Sequence, residues 1–332
     1  MKIVSDITII DNTPRVKDPA IAKLLPKNLQ REKVSFVLNG VNTAVSNGLA
    51  RTICDELPVI AMFVPLSNIL TTDPQHLEEM IAKRLRLIPL DQATPRDAVF
   101  SLDAINDSPV LRDVKSSEIK YKGKTLPFNE TFTICTLAPG CMISIRDIVI
   151  HEDYGYVKKS GMHVVAYATE SIPIDVKPFD MEAYYAKGRT ITDDMTADDM
   201  AKYGTPTRLA NPRQFRVGFC TNGTMPAKRI VIAACDEIIK RLQAVESKLD
   251  MITNGEIGYV LSLPGESDTI GNLYMRTIID LYPEVDFVKY TVSRFERSVD
   301  ITVRFPDFDI KTMFTETTEH LIGIYKKIKA AF

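Results

Sequence analysis

The chain has 332 residues, of which 45% are hydrophobic and 25% are charged, a composition that is ordinary for a globular protein of two or three domains. Its 41 basic and 43 acidic residues leave a formal net charge of −2, whereas proteins that hold DNA through its phosphates usually carry a clear basic excess. The five cysteines are scattered and form no Cys-x-x-Cys pair, so we expect reduced thiols in a soluble intracellular protein without a membrane span.

The first predicted module begins with a strand, KVSFVLNG, and continues into an amphipathic helix, VNTAVSNGLARTICDELP. Four apolar residues lie four positions apart on this helix and form one stripe: Val41, Val45, Leu49 and Ile53. Pro58 cannot continue the helix, so the pattern predicts that the helix ends just before it.

Residues 63–211 predict an insertion that is rich in strands. FTICTL and CMISIRDIVI flank the turn APG, and GMHVVAYATES is another alternating stretch. Residues 191–214 are polar and contain prolines, which predicts a loop with a short helix.

A long helix after Pro226 supplies the rest of the first module. Its apolar residues recur at alternating steps of four and three, which is a heptad seam suited to packing on another long helix. The seam residues are Val231, Cys235, Ile238, Leu242, Val245 and Leu249. We therefore predict that the first module is split into residues 1–62 and 212–250.

Residues 251–332 repeat this plan without an insertion. RTIIDLYP at 276–283 repeats RTICDELP at 51–58, 225 residues earlier, and an asparagine precedes each arginine by four positions. The short helix of this module is predicted to bury one face, formed by Ile270, Leu273, Thr277, Ile278 and Leu281. The closing helix, at 309–332, carries a second seam, formed by Phe314, Leu321, Ile324 and Ile328. Two related α+β units on one chain predict a covalent pseudo-dimer of two dimerisation modules, with a mostly β insert in the first.

The sequence contains no motif that is typical of a catalytic or metal centre. The aspartates of DDMTADD carry oxygen ligands that suit a hard cation, but they lie in a polar stretch with good helix-capping residues, which favours a solvated loop: Asp193, Asp194, Asp198 and Asp199. The four histidines are dispersed, and LPGESDTIGN lacks the Gly-Lys-Ser/Thr ending of a phosphate-binding loop. We expect neither a metal ion nor a cofactor.

The first module resembles the α-type subunits of RNA polymerase. FVLNGVNTAVSNGLARTICDELPVIAM is similar to the family pattern F-x-L-x-G, N-x-L-R-R and E-x-P, and IAKRLRLIPL at 81–90 is similar to the family's IAHRLGLIPL. Ala50 stands where the family has the first arginine of N-x-L-R-R. PFNETFTICTLAPGCMISI and FRVGFCTNGTMPAKRIVIAACDEIIKRL resemble later regions of the same family.

The second module resembles the smaller partner of that family, archaeal subunit L and the eleventh subunit of RNA polymerase II. The partner's motif E-D-H-T-L-G-N is matched by ESDTIGN at 266–272. The architecture is similar to the fused subunits of large cytoplasmic DNA viruses such as the asfarviruses. The repeated octapeptide is then explained as the equivalent helix of two α-like partners in one chain.

The resemblance implies a non-catalytic subunit on which the largest and second-largest polymerase subunits assemble. It also implies small partners of the tenth and twelfth subunit type, without membrane binding or direct sequence-specific DNA binding. A viral chain would work in the host cytoplasm and the virion. The candidate contact residues on polar faces are Asn47, Arg51, Glu56, Arg84, Arg86, Asn272 and Arg276. Two other classes stay open at this stage: a metal-dependent or hydrolytic enzyme with a site in the insert, and a DNA-binding regulator.

Overall fold

The fold is α+β, as the sequence predicts. The computed structural model describes residues 2–11, 31–88, 90, 94–121, 124–125, 132–154, 169–188, 195–206, 210–293, 296–306 and 308–332. The described strands are β1 (Val4–Asp11), β2 (Glu32–Asn39), β3 (Pro58–Phe63), β4 (Ile69–Thr71), β5 (Val99–Ile105), β6 (Arg112–Lys115), β7 (Lys120–Tyr121), β8 (Lys124–Thr125), β9 (Thr133–Leu137), β10 (Met142–Tyr154), β11 (Glu170–Pro173), β12 (Gln214–Cys220), β13 (Thr253–Asn254), β14 (Tyr259–Pro264), β15 (Phe287–Val292) and β16 (Ser298–Arg304). The described helices are α1 (Thr43–Asp55), α2 (Glu78–Arg86), α3 (Met181–Tyr185), α4 (Ala197–Tyr203), α5 (Ala227–Glu246), α6 (Asp268–Leu281) and α7 (Ile310–Lys329).

Two four-stranded antiparallel sheets lie at the two ends of the chain. The first has the order β1-β2-β12-β11, and the second has the order β13-β14-β16-β15. Alternate residues of the central strands face one side, as the two-residue period of a strand requires. Val299, Ile301 and Val303 are buried on that side of β16, as their alternation predicts.

The core between these sheets is shared by both ends of the chain. One continuous cluster of buried side chains contains residues of β2, β12, β14 and β16 together with the helices α1, α5, α6 and α7. The long helices α5 and α7 contact each other, and the short helices α1 and α6 contact each other. The two ends of the sequence therefore bury their apolar stripes against one another.

The predicted seam residues lie in this core with one exception. Ile324 is only partly buried, and its neighbour Tyr325 is fully buried instead. Leu249 is buried, but it lies in a 3-10 turn (Leu249–Met251) beyond the end of α5. The prediction that Leu281 is buried on α6 is wrong, because the last turn of α6 extends past the core and leaves Leu281 36% exposed. Tyr282, the next residue, packs against the core in its place.

Residues of the predicted insert, together with β3, form a second cluster of buried side chains around a sheet of the order β3-β10-β5-β7-β8, with β4 also paired to β10. Two strands pair with a sheet on the other side of a predicted domain boundary. β3 lies almost wholly before residue 63, yet it pairs with β10 of the insert. β11 lies inside 63–211, yet it extends the first sheet next to β12. Sheet membership follows hydrogen bonding between strands, which the order of residues along the chain does not specify.

The strand predicted within 161–171 lies mostly outside the described residues, and its last two residues belong to β11. The short helix predicted in 191–214 is α4, where Thr196 and Asp199 form a capping box. None of the described helices combines the length and the apolar character that a bilayer crossing demands.

Candidate functional site

The helices α1 and α6 contact each other and run in opposite directions, so that the start of each lies beside the end of the other. Gly48 lies at the crossing, where a Cβ atom would stand 3.3 Å from the Tyr325 hydroxyl and 3.6 Å from the Leu273 side chain. The Tyr325 hydroxyl donates a buried hydrogen bond of 3.2 Å to the Val45 carbonyl. The missing side chain at Gly48 thus lets a residue of each of α6 and α7 come close to the α1 backbone.

A buried ion cluster lies where α1 ends and α6 begins. Arg241 of α5 pairs with both Glu56 and Glu266, and about a tenth of each of the three side chains is exposed. Ser267 and Thr269 donate hydrogen bonds of 3.1 and 2.8 Å to the Glu56 carboxylate. Glu56 therefore connects the end of α1 to the first turn of α6 and to α5.

A second polar cluster lies at the opposite end of the crossing, where α6 ends and α1 begins. Asp280 receives a hydrogen bond of 2.9 Å from the Asn42 side chain and pairs through both carboxylate oxygens with Arg213, at 2.8 and 2.7 Å. Asn42 also accepts a hydrogen bond of 3.0 Å from the Val45 amide and so caps α1. The cap of one short helix is thereby joined to the end of the other.

The two ends follow one plan. The N-cap residues Asn42 and Ser267 are separated by the same 225 positions that separate the repeated octapeptides. At each end a carboxylate from the last turn of one helix, or just beyond it, lies beside the N-terminus of the other helix, where the helix dipole favours a negative charge. An arginine from outside the helix pair completes each cluster, namely Arg241 or Arg213.

The environment holds both carboxylates in the ionised form. Burial alone would raise the pKa of Glu56, but the charge of Arg241 and the hydrogen bonds from Thr269, Arg241 and Ser267 outweigh burial and lower that pKa. Burial likewise opposes the hydrogen bonds from Arg213 and Asn42 at Asp280, and the net effect is again a lowered pKa. The two clusters are therefore ionic at neutral pH.

Between these two ends lies a cleft of about 290 Å³. It is lined by Ala44, Asn47, Gly48, Ala50, Arg51, Ser171, Asp268, Thr269 and Asn272. The cleft brings together Asn47, Arg51 and Asn272, three residues that the sequence predicts as contacts for partners. They come from two helices that lie more than 200 residues apart in the chain.

No family model matches the chain, but individual proteins do. A protein of African swine fever virus (isolate Tick/Malawi/Lil 20-1/1983) named "DNA-directed RNA polymerase RPB3-11 homolog" is 25% identical over 360 residues, which cover 98% of this chain and 95% of the viral protein. The archaeal "DNA-directed RNA polymerase subunit Rpo3" of Pyrococcus furiosus is 25% identical over 272 residues, which cover 68% of this chain and 96% of the archaeal protein. The chain is a homologue of these polymerase subunits. The resemblance predicted from the repeated helix motifs is thereby confirmed.

One candidate contact residue of this α-like chain faces inward. The sequence places Glu56 on an outward polar face, and this is wrong, because Glu56 is 8% exposed and fully engaged with Arg241, Ser267 and Thr269. The family's E-x-P motif therefore supplies an internal contact at this position. Asn47 and Asn272 are half-buried at the cleft, whereas Arg51 is exposed there.

The remaining candidates lie away from the cleft. Arg276 is exposed on α6, and it is not among the residues that line the cleft. Arg84 and Arg86 belong to α2 in the insert. Arg84 is exposed and donates a hydrogen bond of 2.9 Å to the Ile134 carbonyl, and the Arg86 guanidinium lies 5.3 Å from the centre of the Phe63 ring. Both insert arginines thus have internal contacts as well as outward surface.

Sequence reasoning missed the residues that link α1 to α6. Arg241 precedes the seam residue Leu242, and a charged residue next to a seam position gives little sign of burial. Asn42 had a usable signal, since an asparagine near the start of a periodic apolar run is a preferred N-cap. Asp280 also had one, because it recurs at the same position of the repeated octapeptide as Asp55.

Within the described residues, no three histidine, cysteine or carboxylate side chains are grouped as a metal site would require. Asp199 caps α4, and Asp193 and Asp194 lie outside the described residues. Burial raises the pKa of Cys135 to about 11 and that of Cys235 to about 12, so neither thiol is poised to react at neutral pH.

Acid should weaken the link between the modules. A carboxyl group whose pKa is lowered by folding adds stability above its unfolded pKa, and this stability is lost as the pH falls through the folded pKa. For Glu56, with an ordinary value of 4.5, we expect the contribution to be complete at neutral pH and to disappear progressively below about pH 4.5. Urea unfolding of wild type and Glu56→Gln between pH 3 and 7 checks this expectation. The two unfolding free energies should differ at pH 7 and converge in acid, and a difference that is independent of pH would contradict it.

Proposed function

We propose that the chain is a non-catalytic assembly subunit of a multisubunit DNA-directed RNA polymerase, on which the two largest subunits associate. The observation that carries the proposal is the likeness to the viral polymerase subunit over nearly the whole of both chains. The fold supports it, since the most prominent polar features of the shared core join the two modules to each other rather than forming a reactive centre.

We infer further that the chain is a covalent pseudo-dimer of two α-like modules, with the β-rich insert in the first. The common offset of 225 residues between the N-caps, the asparagines and the arginines of α1 and α6 supports this arrangement. The archaeal relative also supports it, because it is matched over 96% of its own length but over only 68% of this chain. The remaining part of this chain has the length needed for a second module.

The proposed partners are the largest and second-largest subunits, together with small subunits of the tenth and twelfth type. For a viral chain, the proposed location is the host cytoplasm and the virion. Direct DNA binding is not part of the proposal, because the net charge is −2. Nothing in the described site favours the alternative of an enzyme centred on the insert.

We propose that the second-largest subunit binds mainly on the first module, through α1 and the surface around Arg84. The largest subunit would then bind mainly on the second module. Arg51 suits such a contact because it is exposed and its planar guanidinium donates several hydrogen bonds at once.

Arg51→Glu should weaken binding of the second-largest subunit by about tenfold or more, because a cation that meets the partner is replaced by an anion. The stability of the free chain should change by less than about 0.5 kcal/mol, since the side chain is exposed. Titration of the purified second-largest subunit with wild-type and variant chain measures the first effect, and thermal unfolding measures the second.

Arg276→Glu is the matched control, because Arg276 occupies the equivalent position on α6 but lies outside the cleft lining. It should reduce binding of the second-largest subunit far less than Arg51→Glu does. Equal binding of that subunit by wild type and by Arg51→Glu would refute the assignment of α1 to this partner.

A further inference from the structure

The middle of the α1–α6 crossing differs from its two ends in how its polar groups are used. At the ends, Glu56 and Asp280 are each held by an arginine and by the N-terminal residues of the opposite helix. In the middle, Asn47, Arg51 and Asn272 line one cleft, and none of their side chains has a hydrogen bond or an ion pair to any residue that the structure describes. The ends hold the modules together, while the middle leaves its polar groups unused.

The chemistry of these three side chains matches an extended peptide. An asparagine amide carries two donor hydrogens and an acceptor oxygen, so it can pair with the N–H and C=O groups of a main chain. Asn47 and Asn272 present two such amides to one cleft from opposite helices. A volume of about 290 Å³ lies at the small end of ligand sites and suits a short stretch of chain rather than a folded element.

The charges around the cleft indicate which group of a bound peptide would pair with Arg51. Arg51 acts electrostatically on Asp55 one turn away, yet it forms no ion pair within the described part of the chain. Asp268 lies on the opposite wall, and burial together with the nearby charge of Asp268 raises the pKa of the Tyr290 hydroxyl. The guanidinium of Arg51 is therefore available for a carboxylate or a main-chain carbonyl of the segment that enters the cleft.

We propose that Asn47, Arg51 and Asn272 together form one composite site for an extended segment of the second-largest polymerase subunit. The two asparagines bind the main chain of this segment, and Arg51 binds an acidic side chain within it. The inference rests on the proposed function for the identity of the partner. It also changes which subunit the second module binds, because Asn272 of this module then contacts the second-largest subunit, the same partner that α1 of the first module binds.

Alanine variants of the two asparagines test the composite site. Asn47→Ala and Asn272→Ala should each weaken binding of the purified second-largest subunit by about fivefold to tenfold, as the loss of one or two hydrogen bonds implies. Asn272→Ala should leave binding of the largest subunit within about twofold of wild type. Asn254→Ala is the matched control, because Asn254 is an exposed asparagine of the same module that does not line the cleft.

Thermal unfolding of each variant shows whether it is folded, and Asn272→Ser replaces Asn272→Ala if alanine lowers the melting temperature. Weaker binding by both cleft variants, with Asn254→Ala equal to wild type, supports the composite site. Wild-type affinity of the folded Asn272 variant for the second-largest subunit overturns the composite site while leaving the proposed function intact. Failure of the wild-type chain to bind either large subunit overturns the proposed function as well.

Discussion

Leu242→Asp should destabilise the folded chain by about 5 kcal/mol or more. Leu242 is completely buried in the shared core, and loss of a buried leucine side chain alone costs about 2–5 kcal/mol. A carboxyl group at the same place adds the cost of burying a polar or charged group without a partner. Because whole domains are stable by only about 5–15 kcal/mol, the variant should lose most of its stability at 25 °C.

Gln243→Asp is the matched control, since Gln243 is the next residue of α5 and is exposed. It should change the stability by less than about 1 kcal/mol. Circular dichroism at 222 nm during urea unfolding reports on the long helices α5 and α7, which lie in the shared core and not in the insert. Equal midpoints for Leu242→Asp and Gln243→Asp would mean that α5 does not pack as described.

Arg241→Met should destabilise the chain by about 3–5 kcal/mol, the usual cost of removing one partner from a buried ion pair. Methionine retains most of the apolar length of the side chain, so the effect reports mainly on charge. Glu56 and Glu266 would be left beside each other, nearly buried and without their cation. They would either stay charged at high cost or take up protons.

The triple variant Arg241→Met, Glu56→Gln, Glu266→Gln tests the origin of this loss. It should recover a large part of the stability at pH 7, because neutral amides do not repel each other, and the amide at position 56 can still accept the hydrogen bonds of Ser267 and Thr269. Urea unfolding of the single and triple variants measures the recovery. If the triple variant were less stable than Arg241→Met, the ionic explanation of the cluster would fail.

Local periodicity was sufficient to predict the four helices of the shared core and most of the side chains that they bury there. The stripe of Val41, Val45, Leu49 and Ile53 is buried throughout. Val45, Leu49 and Ile53 share one face of α1, because residues four apart do so whatever lies opposite, and Val41 directly precedes the N-cap Asn42. The α5 seam and the alternation of β16 also emerged from the sequence, since each depends only on the 3.6-residue or two-residue period of one element. The repeated octapeptide led to the polymerase resemblance for the same reason, because it is written in contiguous residues.

The positions of polar side chains depended on the tertiary structure. The helix period, continued to Glu56, places this residue on the side of the apolar stripe, three positions after Ile53, whereas its charge predicts an outward position, and the sequence alone does not resolve this conflict. What decides is that Arg241, Ser267 and Thr269, from 185 to 213 residues away, come together around its carboxylate. Tyr325 is buried where the sequence predicted Ile324, because its hydroxyl donates a hydrogen bond to the Val45 carbonyl close to Gly48.

The cleft likewise exists only after α1 and α6 have packed against each other. The sequence marks Asn47 and Asn272 as equivalent polar positions on two helices, with Arg51 four residues after Asn47, and this placed them on faces that were expected to serve two different partners. The antiparallel crossing of α1 and α6 turns these faces toward one cleft, and it does so because Asn42 contacts Asp280 at one end and Glu56 contacts Ser267 at the other. The crossing depends on contacts more than 200 residues apart in sequence, and no local pattern encodes such contacts.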